Sequence, residues 1–140
     1  MHYSNYDSVN NQARYVSGAG EFEIKVPPHK YSGMYIGLTS AEGASQLQFE
    51  LTYTDGSTLQ DFVLPDYYND LPPGDPNIMY LAHDLAKWGN KNNMTETNHH
   101  NIDLVNIHIN ANRTLTHIRI VKSTGGYLVF WGATGTLAND

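Results

Sequence analysis

The densest chemistry in the sequence lies between Asp66 and Asn101. It comprises Asp66-Tyr67-Tyr68, His83-Asp84, Lys87-Trp88 and Asn98-His99-His100-Asn101. A sugar presents axial C–H groups on one ring face and hydroxyls around its edge. A flat aromatic ring suits the first, and Asn, Asp, His or Lys head groups suit the second. Trp88 and the Tyr67/Tyr68 pair are therefore candidate stacking platforms. His83, Lys87, Asn98, His99 and His100 are candidate polar contacts. Lys87 and the histidines would also admit an acidic sugar, a uronate or a sulfated unit. The plainer reading is that Trp88 packs the segment onto the domain and the tyrosine pair caps a core edge.

Other chemistries find less support. His99 and His100 are adjacent, so on a strand they point to opposite faces and do not share one zinc ion. Asp66, Asp70 and Asp75 crowd one loop, and a hard cation such as calcium wants oxygen ligands. Aspartate in a Pro/Gly loop also serves turns, so no calcium ligand is assigned. Asp66, Asp84 and Glu96 are acids that glycoside cleavage could pair across a sugar bond, but none sits in a recognisable motif. There is no G-x-S-x-G nucleophile elbow. Gly18-Ala19-Gly20 precedes a strand rather than opening a helix, so it is no phosphate loop.

The elements that must position these residues read as strands. Phe22, Ile24 and Val26 alternate with Glu21, Glu23 and Lys25, and Pro27-Pro28 ends that strand. Tyr31 to Leu38 follows as a more continuous apolar run. Leu47, Phe49, Leu51 and Tyr53 form one face of the clearest strand. Asp55-Gly56 signals a hairpin into Thr58 to Leu64, which Pro65 stops. Ile102 to Ile109, Leu115 to Val121 and Tyr127 to Trp131 complete seven or eight strands, with turns at Ala111-Asn112-Arg113 and Ser123 to Gly126. The stretch from Asp66 to Asn101 interrupts the pattern. Ile78, Leu81, Ala82, Leu85 and Trp88 share a helical face behind Asp75-Pro76. Met79, Leu81, His83 and Leu85 equally alternate, and the all-β surroundings favour strand plus loop.

Composition narrows the partners. The 140 residues carry 8 basic and 14 acidic side chains, a net charge of −6. With no excess of Lys or Arg to displace counterions, nucleic acid and acidic membrane surfaces are disfavoured. No cysteine is present, so neither disulfides nor thiolate chemistry arises. No apolar run approaches the ~18 residues of a membrane span. Met1 to Asp7 has no apolar signal core, which fits either a cytoplasmic protein or a domain excised from a longer exported one. Charged residues make up only 16%, and ten tyrosines accompany four phenylalanines. Neutral polar atoms beside amphipathic rings suit a neutral, hydroxyl-rich ligand.

The order of motifs carries a resemblance. Tyr53-Thr54-Asp55-Gly56-Ser57 is followed by a strand, then Leu64-Pro65-Asp66-Tyr67, a polar stretch and Asn101-Ile102. Ile107-His108-Ile109-Asn110, Thr114 to Ile120 and a final apolar strand complete it. From Tyr31 to Leu137 the chain resembles the galactose-binding-like jelly-roll modules attached to bacterial polysaccharide-degrading enzymes, including some α-mannosidases and fucosidases. Asp66-Tyr67 stands where those modules have an Asp-Trp corner. The resemblance implies an antiparallel β-sandwich of jelly-roll type and a non-catalytic carbohydrate-binding module, often with a structural calcium.

Together these readings predict one all-β domain over residues 1–140. It would be secreted and would bind a polysaccharide or oligosaccharide beside a parent catalytic domain. Two other classes compete: a structural or adhesion sandwich docked on a catalytic domain, and a small glycan-active enzyme such as a lyase using Tyr and His. Should the segment between Asp66 and Asn101 not bind, the strand face of Tyr127 and Trp131 is the next place to look.

Overall fold

A computed structural model describes residues 13–88 and 91–139; for Lys87, Trp88 and residues 96–99 it describes the backbone alone. Every named strand pairs antiparallel, and no helix occurs among the described residues. The strands are β1 (Arg14–Ser17), β2 (Gly20–Ala41), β3 (Ser45–Tyr53), β4 (Gly56–Leu64), β5 (Ile78–Trp88), β6 (Met94–Ile107), β7 (Thr114–Lys122) and β8 (Tyr127–Leu137).

The long strand β2 joins two halves of one network. Its first part pairs with β7, which leads to β3 and β4. Its second part lies between β8 and β6, which lead outward to β1 and β5. Pro27-Pro28 does not end the strand. It marks a shift in register between Lys25↔His117 and His29↔Leu115, where β2 passes from one half to the other. Proline has no N–H for the ladder, so an irregularity between two pairings is where a strand tolerates it. The Tyr31 hydroxyl donates to the Pro27 carbonyl at 2.5 Å, bracing the passage.

Alternation supplies the core. Phe22, Ile24 and Val26 of the first part and Met34, Ile36 and Leu38 of the second belong to one buried cluster. Leu47, Phe49, Leu51, Ile118, Ile120, Val105, Ile107, Leu128 and Phe130 complete most of it. The expected strand from Ile102 to Ile109 is longer at its front and shorter at its end, since β6 begins at Met94 and stops at Ile107. The helical alternative for 75–88 gives way to β5, whose pairing with β6 shifts register three times. The alternation of Met79, Leu81, His83 and Leu85 favours this strand, although the shifts interrupt its period.

The two outward faces differ in chemistry. On the β4 half, Glu23, Arg119 and Glu50 lie side by side across three strands. Arg119 reaches Glu50 at 2.6 Å and Glu21 at 3.9 Å, and His117 stands 3.8 Å from Glu23. That is a solvated, cross-paired surface. Among the described residues the β5 half has no such network.

Candidate functional site

On the β5 half the described residues around Trp131 that alternate away from the core are uncharged. They are Tyr35, Gly37 and Thr39 of β2, Val129, Trp131 and Thr134 of β8, Ile102, Leu104 and Asn106 of β6, and Met79 and Leu81 of β5. Tyr15 of β1 and Tyr127 of β8 extend the same face, with ring centroids 6.5 Å apart. No acidic or basic side chain stands among these positions.

Trp131 is the centre of this face. Gly37 pairs with Gly132 and Leu38 with Phe130, so Trp131 is the extra residue of a β-bulge. A bulge places two consecutive residues against one partner and re-aims the side chain that it carries. Phe130 points into the core, whereas Trp131 remains 41% exposed. The indole Nε1 donates to Thr39 Oγ1 at 2.9 Å, which ties the ring to β2. Beside it Gly37 leaves a gap: a Cβ there would come within 3.2 Å of Leu81 Cδ2 and 3.6 Å of Trp131 Cβ. A trough of about 200 Å³ results, lined by Tyr35, Gly37, Leu81, Leu104, Trp131 and Thr134 among others.

The residues expected between Asp66 and Asn101 are placed next to this face at its Thr39 end. Thr39 Oγ1 lies 3.5 Å from the Asn101 carbonyl. There β2 and β6 are bridged by the Asp66-Tyr67 corner, with Tyr67 N donating to Ser40 O and Asn101 N donating to Tyr67 O. The Asp66 carboxylate accepts from Gly43 N at 2.8 Å and Tyr68 N at 3.0 Å, which makes the corner a packing device. Tyr67, Tyr68 and His100 come together as three rings with centroids 4.7–4.9 Å apart. His100 is buried, with Nδ1 donating to the Leu85 carbonyl at 3.0 Å. Tyr68 stays 41% exposed.

His83 is separate from that cluster. Its ring lies 5.0 Å from that of Tyr80, and its Nδ1 is 2.8 Å from the neighbouring Asp84 carboxylate at an exposed rim. Asp84 adopts a φ of 56°, a left-handed conformation that aspartate tolerates better than most residues. Its N–H donates to Asn101 Oδ1, so the corner and the β5 kink are held by one asparagine. The side chains of Lys87, Trp88, Asn98 and His99 lie outside the described residues.

No family model and no curated protein matches the chain. Its chemistry must therefore be argued from its own side chains.

For the calcium that the resemblance implies, the loop aspartates do not fit. Asp66 is engaged by two backbone N–H groups, and Asp75 accepts from Asn77 N at 2.9 Å. No three acidic or histidine side chains converge among the described residues. A cation does occur near that end of the fold, and it is a side chain. Lys122, 1% exposed, donates from Nζ to the carbonyls of Gly18, Thr124, Gly125 and Gly126 at 2.6–3.1 Å. Burial lowers its pKa from the usual value.

In the sequence Trp131 stands out with Tyr127 only as the second place to look, and Tyr35 only as a strand residue. The available signal was phase: with Leu128 and Phe130 inward, Tyr127, Val129 and Trp131 are large apolar residues on the outward side. Gly37 and Leu81 carried no such signal, because their approach depends on pairing between strands distant in sequence.

Proposed function

We propose that this chain is a non-catalytic carbohydrate-binding module on a β-sandwich of jelly-roll type. It holds a polysaccharide on the outward face of the β5 half. The observation that carries the reading is the half-exposed Trp131 indole, tethered by Thr39 beside the gap at Gly37, in a trough whose described lining is uncharged. A tethered indole offers its π-face to sugar C–H groups at little entropic cost, while Tyr35, Thr134 and Asn106 supply hydroxyl and amide partners at its edge. Tyr67 and Tyr68, braced by His100, form the flanking rim at the Asp66 corner. His83, Lys87, Asn98 and His99 are proposed as further polar contacts, and Trp88 as a further platform, on residue chemistry alone. In this reading the module is exported and serves a parent glycan-degrading enzyme.

The test is affinity electrophoresis through gels containing single polysaccharides, with product analysis alongside. One polymer should retard the protein with micromolar to millimolar affinity, about −8 to −4 kcal/mol. No reducing ends or unsaturated products should form. Trp131→Ala should abolish most of the retardation. Retardation untouched by this change would remove the sheet face from consideration, and released product would establish the small glycan-active enzyme instead.

One observation favours a second reading. Met79, Leu81 and Leu85 of β5 are 43%, 54% and 37% exposed, which is unusual apolar content for a strand at the edge of a sheet. If the face docks a neighbouring catalytic domain, the isolated chain should bind no glycan and should self-associate at high concentration.

A further inference from the structure

The chemistry of the trough narrows the ligand class, an inference that rests on the sheet-face reading above. We propose that the face accepts uncharged polysaccharide chains, contacted over several sugar units, and rejects uronate and sulfated polymers. The first support is electrostatic. Trp131, Tyr35, Leu81 and Leu104 border the trough, and among the described residues that line it none is Lys, Arg or His. A carboxylate or sulfate laid there would lose water without gaining a countercharge, and burying an unpaired charge is strongly unfavourable. The net charge of −6 adds long-range repulsion of any polyanion.

The second support is geometric. Trp131 and Tyr127 stand four residues apart on the same strand and point the same way. At about 3.3 Å per residue their separation is about 13 Å, longer than one pyranose ring. The trough is open rather than enclosed. A ligand that uses both rings must therefore be oligomeric, and nothing in the trough closes around a chain end.

The experiment pairs each acidic polymer with a neutral derivative of itself. Polygalacturonate and its carboxyl-reduced product, and a sulfated galactan with its desulfated form, are run in affinity gels at low and high salt. A panel of neutral glucans, mannans and xylans is run beside them. The expected result is at least tenfold stronger retention by neutral than by acidic partners, little change with salt, and tighter binding by longer oligosaccharides than by monosaccharide. Trp131→Ala should weaken retention at least tenfold. Gly37→Ala, which narrows the trough with small adjustment of Leu81, should weaken it without lowering the melting temperature. Salt-sensitive retention by an acidic polymer that depends on Trp131 would overturn the uncharged-ligand inference and leave the sheet-face reading standing. Retention by no polymer, or retention indifferent to both substitutions, would overturn the sheet-face reading and this inference with it.

Discussion

Single residues carry both the proposed recognition chemistry and the main liability of this protein. Trp131 faces outward by the phase of β8 and sits at a bulge, whereas its neighbour Phe130 is spent on the core. Asp103 is the converse case. It lies on the inward side of β6, 1% exposed, and its Oδ1 has no hydrogen-bond partner among the described residues. Burial pushes its pKa up to about 7, against an ordinary value near 4. Between those values the folded state holds a proton that the unfolded chain has released. Unfolding free energy therefore falls as pH rises from about 4 to 7, and the loss persists above 7. The cost above pH 7 is on the order of 4 kcal/mol at most, taking 1.36 kcal/mol per pKa unit. Asp103→Asn should thus raise the melting temperature at pH 8 more than at pH 5. Equal effects at both pH values, in a thermal melt, would mean that Asp103 does not titrate in this window.

At the scale of elements, turns decide how the strands meet. Thr54 and Asp55 form the bend between β3 and β4, and Gly56 follows at φ 141°, a conformation that side-chain-bearing residues rarely adopt. Gly56→Val should lower stability by about 1 kcal/mol or more, measured by denaturant melts, while leaving glycan stoichiometry unchanged. The β1–β2 and β7–β8 turns are joined more strongly, because the Lys122 ammonium satisfies carbonyls from both. Lys122→Met keeps most of the buried stem but leaves those carbonyls without their donor. It should cost on the order of 3 kcal/mol, since unpaired buried acceptors carry the full desolvation penalty. A melting temperature equal to that of the parent would mean that the turns close without it.

For the whole molecule, one cluster of buried side chains unites both halves of the strand network, and its internal cation is covalently attached. Chelator should accordingly leave the melting temperature unchanged, as followed by scanning calorimetry. A drop of several degrees would point to a bound metal. Much of this architecture was legible in the sequence. Alternation in Phe22 to Val26 and Leu47 to Tyr53, with Asp55-Gly56 and Pro65 as punctuation, determined an all-β antiparallel chain, because side-chain direction in a strand has period two. The same rule failed at Met94 to Asn101, where polar residues fill the strand, and along β5 it competed with a helical period because register shifts interrupt it. Residue type alone marked Tyr67, Tyr68 and His100 as a group, and the corner at Asp66 brings them into contact. What only the tertiary structure decided was the uncharged face around Trp131. Its parts come from five strands spread between Tyr15 and Thr134, and the pairing of distant segments sets which side chains share a surface.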